Sequence, residues 1–582
     1  MRQTLARYVL VIIASVLVVF LAGEITIGII SYSTAKDFAE KVSLSGAAYR
    51  FSESYFNQIK MQAFWLIPSL AVMGALLFFF WKKIELWIIN YLPGRESVQV
   101  LREIIKLNRY EVVGLLLITG LGLVFRVVRM QEILKFDELH NFLQYAQNPL
   151  LAVTAYISDA NNHIFHSFLI SLITNIFGDS YWAIRSVAFI SGILLIPLVF
   201  FAARFSGACA TRSSGWVAAT IVSAYPLCCA YSANARGYTL QMVLGLLTWI
   251  LFDRIYNGNR EFLLAISSLC ALAMWTIATS FYLFIGLILA FVGGIIQNKI
   301  KGKDFHFFFI STCILSLFLW GPIIEVSGIK PIIYSPDALP VSVGAAIDPF
   351  WLRFRNITDV ISLSLNSWGL FLFPFLIVCG VFVVNRGWQR IGGGLFLSAL
   401  IVTAILQVTP HTRVWLFWIP LFAIFIDRGI MFLLTVPIKS LSKYARFLIG
   451  GLCLIYVVIV WPQIFDYGTT HKDIAAFTKI VAKQWSENQN AVIQIEKKNL
   501  EENEAGHLSN KNLYSTYSVR YYLKRAGIPD SAFKWRKNTT QPRKVWLILI
   551  QENDFQKILG KTINWDIVME PLFLAKNVPI NN

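Results

Sequence analysis

The strongest constraint on this chain is a series of long apolar runs that recurs from the N-terminus to about residue 462. A helix needs about 20 consecutive apolar residues to cross the roughly 30 Å hydrocarbon core of a bilayer. Runs of that kind fall at 8–31, 61–81, 110–130, 185–204, 216–235, 238–253, 261–278, 281–297, 305–324, 366–384, 391–408, 414–436 and 447–462. The pattern predicts an α-helical polytopic membrane protein with thirteen spans. Composition agrees. Hydrophobic residues make up 56% of the 582 residues, charged residues only 14%, and mean hydropathy is +0.60. A soluble domain carries about 25% charged residues. Disorder, a collagen-like fibre and a coiled coil are excluded. The first run follows Arg2 and Arg7, is too long for a signal peptide and lacks a small-x-small cleavage site, so it reads as a retained span.

Charge sets the orientation. The formal net charge is +18. Lys and Arg accumulate in the cytoplasmic loops of membrane proteins. No basic patch stands beside a nucleic-acid fold signature, so no nucleic-acid partner is expected. The stretch 163–178 is apolar but short, and it carries His163 and His166. Laying it in the interface, with the N-terminus in the cytoplasm, keeps Arg204 and Arg212 inside with Lys82, Lys83, Arg254 and Lys299. Counting it as a crossing puts Arg204 and Arg212 outside, so the interfacial reading is preferred. Loops 131–184 and 325–365 then lie outside, as does the polar region 463–582. That last region has helical spacing at 471–485 and 517–525 and strand-like runs at 491–495 and 545–550, which predicts a small α/β domain. Cys209, Cys228, Cys229, Cys270, Cys313, Cys379 and Cys453 all lie in or beside apolar segments, without zinc, haem or disulfide spacing. No repeat, P-loop or pair of interrupted helices of the transporter type is visible.

Polar residues that an apolar chain keeps at one face are the candidates for chemistry. Asp137 and Glu138 follow the third span directly, where a partly desolvated carboxylate can act as a base or a metal ligand. An acidic pair that is simply solvated is the bland alternative. Asn161, Asn162, His163 and His166 open the interfacial stretch, and such groups are costly to bury without hydrogen bonds. Arg185 precedes a span, and the run Tyr231-Ser232-Ala233-Asn234-Ala235-Arg236-Gly237-Tyr238 lies between two. An arginine there can hold a phosphate with paired hydrogen bonds, or its head can snorkel to the interface. Arg126 has the same two readings, with snorkelling preferred. Gly237 suits a tight turn or a helix break. His411 and Arg413 form a cation pair at a later outer turn, suited to an anionic headgroup.

In this order the motifs resemble the C-type superfamily of integral-membrane glycosyltransferases. The likeness is to its bacterial branch similar to protein O-mannosyltransferases and aminoarabinose lipid A transferases (glycosyltransferase family 39-like). It rests on the Asp137-Glu138 pair, Asn161-Asn162-His163, Phe177-Gly178-Asp179-Ser180, Arg185-Ser186, Gly192 and the Tyr231–Tyr238 run. It covers residues 110–462, with 136–240 as the specific part, and leaves 1–109 as an N-terminal two-helix extension. The resemblance implies an inverting sugar transfer from a polyprenyl-phosphate donor to a lipid, glycan or protein acceptor. The expected place is the extracytoplasmic face of a bacterial plasma membrane.

Asp137 is then the general base, and Glu138 orients it or the acceptor. Arg236, Tyr238, Arg185, His411 and Arg413 meet the phosphate. Asn161, Asn162, His163, His166 and Tyr231 line the donor or acceptor pocket. No cofactor is implied; a divalent metal is possible but not required, because cationic side chains can stabilise the leaving phosphate. The chain departs from the pattern at Asn162-His163-Ile164-Phe165, where many members have His-Pro-Pro-Leu. A transporter or flippase for lipid-linked glycans is the main alternative, and a non-catalytic scaffold for the C-terminal domain is a third.

Overall fold

The computed structural model describes residues 2–42, 53–89, 91, 107–132, 134–148, 150–155, 157, 162–206, 215–328, 339–340, 360, 366–406, 408–409, 412–435 and 444–466, and the strand residues 492–495, 533–534, 545–549, 565–569 and 572–575. The chain divides into two compact units. One is Met1–Gln131 with Asn141–Tyr467, and the other is Glu132–His140 with Gly468–Asn582.

The first unit is helical apart from a two-residue pairing of Leu339–Pro340 with Val408–Thr409 among the described residues. Seven described helices are long and apolar enough to cross a membrane: Ala6–Ile29, Arg109–Met130, Tyr181–Phe205, Ala278–Ile296, Gly302–Ile324, Arg413–Leu434 and Phe447–Phe465. The remaining expected spans are shorter, broken or less apolar. The run 216–235 divides into Trp216–Ala224 and Pro226–Ser232. Pro226 has no N–H to continue the ladder, and Tyr225 before it takes extended backbone, φ −63° and ψ 122°. The run 261–278 holds the helix Leu263–Thr276, of 14 residues.

The stretch 163–178 forms the helix Ile164–Phe177, also 14 residues. At 1.5 Å per residue it is about 21 Å long, well short of the hydrocarbon core. It closes at Gly178, whose φ of 75° is a left-handed conformation that suits glycine. A helix of this length fits the interface that the charge pattern asks for, although Leu263–Thr276, counted as a span, is equally short.

On one helix, burial runs inside-out relative to a soluble protein. On the Arg109–Met130 helix, Val113, Leu116, Leu117, Val124 and Val128 are exposed. Glu111, Gly122, Arg126 and Arg129 face inward. An apolar outer face with charged groups inside is the pattern a hydrocarbon solvent selects. The first turn is fixed by a capping box. Asn108 Oδ1 accepts from Glu111 N–H at 3.0 Å, and Glu111 Oε2 accepts from Asn108 N–H at 2.9 Å.

Arg126 does not snorkel. It is fully buried. Its Nη1 donates to the carbonyls of Gly122 and Ser223, both at 2.9 Å. Nη2 donates to Val222 O at 2.9 Å, and Nε donates to Ser232 Oγ at 3.0 Å. The break at Tyr225-Pro226 follows directly after two of these carbonyls. Open helix ends offer acceptors nearer than the interface, which is why the guanidinium stays inside. The approach needs small neighbours, since a Cβ on Gly122 would lie 2.5 Å from Ile196 Cδ1 and 2.9 Å from Ser223 Oγ.

The Tyr238–Tyr256 helix packs against Tyr181–Phe205 and Leu263–Thr276. Met242, Leu246, Trp249 and Phe252 on it are wholly buried. It is the central helix of the bundle and carries the Arg236-Gly237-Tyr238 motif at its start. The N-terminal extension belongs to the same unit. Within it Arg7 pairs with Glu85 at 2.9 Å, and from it Phe20 packs edge-on against Phe318 with centroids 5.4 Å apart.

The second unit holds a five-stranded sheet in the order Phe533–Lys534, Val492–Ile495, Val545–Leu549, Leu572–Ala575, Trp565–Met569. The first three strands are parallel, and the remaining pairings are antiparallel. The strand-like runs at 491–495 and 545–550 coincide with two of these strands. The helices expected at 471–485 and 517–525 lie outside the described residues.

An interfacial Ile164–Phe177 helix keeps both of its flanks on one face, whereas a crossing would move everything after it to the opposite face. In a cysteine-depleted background, Ser180→Cys is expected to react with an impermeant maleimide in intact cells, whereas Ala210→Cys reacts only after permeabilisation. Labelling of Ala210→Cys in intact cells would make the helix a crossing.

Candidate active site

Within the first unit, motifs far apart in sequence come together around Tyr238. His163 is the N-cap residue of the Ile164–Phe177 helix. Its Nδ1 accepts the Gly237 N–H at 3.0 Å. A neutral imidazole that accepts at Nδ1 carries its proton on Nε2. Gly237 is needed for space and not for its backbone angles, which are ordinary (φ −73°, ψ 8°). A Cβ there would lie 2.7 Å from Thr276 Cγ2 and 3.1 Å from His163 Nδ1. The His163 ring meets Tyr238 edge-on at 5.0 Å between centroids, and Tyr231 meets it at 4.9 Å. The Arg236 guanidinium carbon lies 5.1 Å from the centre of the Tyr238 ring, a cation–π distance. Tyr238 thus supports a histidine, a tyrosine and an arginine at once.

A buried amide and hydroxyl net holds the turn from below. Ser167 Oγ lies 3.0 Å from Asn141 Oδ1 and 3.1 Å from Asn162 Oδ1. Asn141 Nδ2 donates to Ala235 O at 3.1 Å. Asn162 is therefore connected, through two side chains, to the backbone next to Arg236. Asn141 and Ser167 are not among the residues the sequence singles out. The available signal is slight: Ser167 follows His166 in an apolar stretch, and Asn141 lies three residues after Glu138.

His166 lies one turn into the helix and is wholly buried. Neither of its ring nitrogens has a hydrogen-bond partner among the described residues. Burial, with the Arg236 charge adding to it, pushes its pKa down to about 3. His163 is likewise held well below its ordinary value, first by burial and then by Arg236, His166 and Arg413. Both rings are therefore neutral near pH 7. An unmet buried polar atom costs about 1–3 kcal/mol, so His166 is kept at a cost to stability.

The other sequence candidates fall as follows. Arg185 is buried, and its Nη1 donates to Met130 O at 3.0 Å and to Arg129 O at 3.3 Å. It therefore meets the C-terminal, negative end of the Arg109–Met130 helix. Arg413 is half-buried, on the turn Thr412–Trp418. Asn161 and His411 lie outside the described residues. In the second unit, Asp137 and Glu138 start the short helix Phe136–Asn141. Asp137 is half-buried and Glu138 buried. Glu138 Oε2 accepts the Lys135 N–H at 2.8 Å, closing the first turn. Among the described residues, no group of three or more His, Cys, Asp or Glu side chains comes together as a metal site.

Residues 161–321 match the family model of dolichyl-phosphate-mannose-protein mannosyltransferase. That stretch carries Asn162, His163, His166, Arg185, Tyr231, Arg236 and Tyr238. It excludes Asp137, Glu138, His411 and Arg413. The chain thus resembles the C-type integral-membrane glycosyltransferases over the part that forms the Tyr238 cluster. No curated protein matches the chain. Several solved structures are similar to it. Apo ArnT from Cupriavidus metallidurans has TM-score 0.48 and 11% identity, over 81% of this chain and 98% of ArnT. The same protein bound to undecaprenyl phosphate gives 0.47 and 11%, over the same 81% and 98%. Arabinosyltransferase EmbB from Mycobacterium smegmatis gives 0.38 and 12%, over 81% of this chain and 45% of EmbB.

The depressed histidines have a consequence for pH. The unfolded chain takes up protons at about 6.5, while the folded chain takes them up only at much lower pH. The unfolded state then binds more protons, so stability falls as pH drops below about 6.5 and is complete above it. The slope is at most about 1.4 kcal/mol per pH unit for each such histidine. The detergent melting temperature is expected to drop between pH 7 and pH 5, and to drop less in His166→Asn. An identical pH response in that variant would contradict the neutral, buried state of His166.

Proposed function

We propose that the chain is an inverting glycosyltransferase that moves a sugar from a polyprenyl-phosphate donor to a lipid, glycan or protein acceptor. It works at the extracytoplasmic face of a bacterial plasma membrane, with about thirteen helical segments in the membrane and residues 463–582 outside. The observation that carries this reading is the family match over the residues that assemble around Tyr238. A donor with a polyprenyl tail stays in the bilayer, so its reacting carbon is reached only at the membrane surface. His163, Arg185, Arg236 and Tyr238 lie in or beside the first turns of apolar helices, as that demands.

In the proposed reaction Asp137 takes the proton from the acceptor hydroxyl or amine. The freed electron pair forms a bond to the anomeric carbon from the face opposite the phosphate. The bond from that carbon to the phosphate oxygen breaks, and its electrons leave with the polyprenyl phosphate. Configuration at the anomeric carbon inverts. Glu138, tied to the Lys135 backbone, fixes the turn that presents Asp137. Charge develops on the leaving phosphate, and fixed cations stabilise it without reorganisation. Arg236 is the first candidate for that task, with Arg413, Arg185 and His411 behind it. Tyr238 sets the Arg236 plane, and Tyr231, Asn161, Asn162, His163 and His166 border the sugar or acceptor. The hydrogen bond from Gly237 keeps His163 in one tautomer, with Nε2–H as the only donor it offers.

Asp137→Asn keeps the size of the side chain and removes the base. The expected result is transfer reduced by about 10²–10⁴, with donor affinity and detergent stability retained. Arg236→Ala in the same assay is expected to weaken donor binding more than acceptor use. Full transfer by Asp137→Asn would remove that residue from the mechanism, and equal loss of donor and acceptor by Arg236→Ala would give the arginine a folding role.

A further inference from the structure

His166 stands apart from the other buried polar side chains of the first unit. Arg126 meets four acceptors, Ser167 is shared between two amides, and His163 accepts from Gly237. His166 is equally buried, yet both its nitrogens are unmet among the described residues. Ile170, one turn further along the same face, is buried as an apolar residue, and a leucine or a phenylalanine in place of His166 would be less costly to bury there. Asn234, two residues before Arg236, has a buried Oδ1 that is also unmet among the described residues. The two unmet groups belong to the two motifs that the His163–Gly237 hydrogen bond holds together.

We propose that His166 recognises a hydroxyl group of the sugar carried by the donor, its imidazole offering one N–H donor and one bare nitrogen acceptor. This rests on the reading that the donor is a polyprenyl-phosphate sugar. The chemistry selects the hydroxyl over the phosphate. A phosphate is an acceptor only, so it engages the N–H and leaves the second nitrogen bare. A hydroxyl both donates and accepts, and vicinal hydroxyls on a sugar ring satisfy both nitrogens together. The Asn234 carbonyl oxygen is an acceptor suited to another hydroxyl of the same ring. The positive charge of Arg236 beside it is then left for the phosphate, so sugar and phosphate are read by different residues. A metal is a poor alternative. His163, three residues before it, has Nδ1 occupied by Gly237 N–H, and no third ligand joins the pair among the described residues.

The test compares bare undecaprenyl phosphate with a panel of undecaprenyl-phosphoryl hexoses and pentoses, binding each to the full-length protein in nanodiscs. Wild type is expected to bind at least one glycosylated lipid about tenfold or more tighter than the bare lipid. His166→Phe is expected to lose that preference while keeping the wild-type affinity for bare undecaprenyl phosphate. His166→Asn, which still offers a donor and an acceptor, is expected to restore part of it. It also serves as the measurement should the phenylalanine variant fail to fold. An intact preference in either variant would overturn the hydroxyl role and leave the transferase reading standing. A wild type that prefers no sugar in the panel would overturn the role as well. A wild type that binds none of the lipids, the bare one included, would overturn the transferase reading itself.

Discussion

A guanidinium buried among membrane-spanning helices has to be matched donor by donor, and the fold of the first unit is arranged around that demand. Hydrocarbon offers no hydrogen bonds, so the partners come from helix ends and helix breaks. Arg126 is met by carbonyls that precede the break at Tyr225-Pro226. Arg185 meets the last carbonyls of the Arg109–Met130 helix. Arg428 does the same for the Tyr181–Phe205 helix, donating to Ala203 O, Arg204 O and Ser206 Oγ. Its neighbour Asp427 accepts N–H groups from Gly215, Val217 and Ala218 at the start of the next helix. One consecutive acid–base pair thus caps the end of one helix and the beginning of another. Charges of this kind fix where the chain turns and which helix ends meet.

The Tyr238 cluster is built on that frame and differs from it in kind. Its arginine lies over an aromatic ring, and its two histidines are held neutral. A neutral imidazole beside a cation provides hydrogen bonds without adding charge. That division suits a substrate with one anionic group and several neutral hydroxyls. The cluster is rigid for the same reasons it is buried. Gly237 leaves no room for a side chain, and Asn141, Ser167 and Asn162 fix the neighbouring backbone.

The sequence makes the helical membrane class legible because apolar length is a property of a single segment. It also points to His163, Arg236 and Tyr238, because polar residues in apolar surroundings are conspicuous. What it does not reveal are pairings between segments. Nothing in the run around Arg126 announces carbonyl partners almost a hundred residues away, so snorkelling was the natural expectation. Gly237 reads as a turn residue, although close approach to Thr276 and His163 is its constraint. Asn141, Ser167, Asp427 and Arg428 escape notice because each looks ordinary until its partner is known. Hydropathy also cannot see that Pro226 divides the apolar run 216–235, whereas the shortness of the stretch after His163 is legible in the sequence and holds in the 14-residue helix.

Stereochemistry at the anomeric carbon tests the central claim most directly. Purified full-length protein would be given an undecaprenyl-phosphoryl sugar of defined anomeric configuration together with envelope lipids, glycans and proteins from the source cells. The configuration of the sugar in the glycosylated product would be read by NMR. A single displacement with Asp137 as base predicts a product inverted relative to the donor. A product that retains the donor configuration, or release of the sugar with no transfer, would contradict the account.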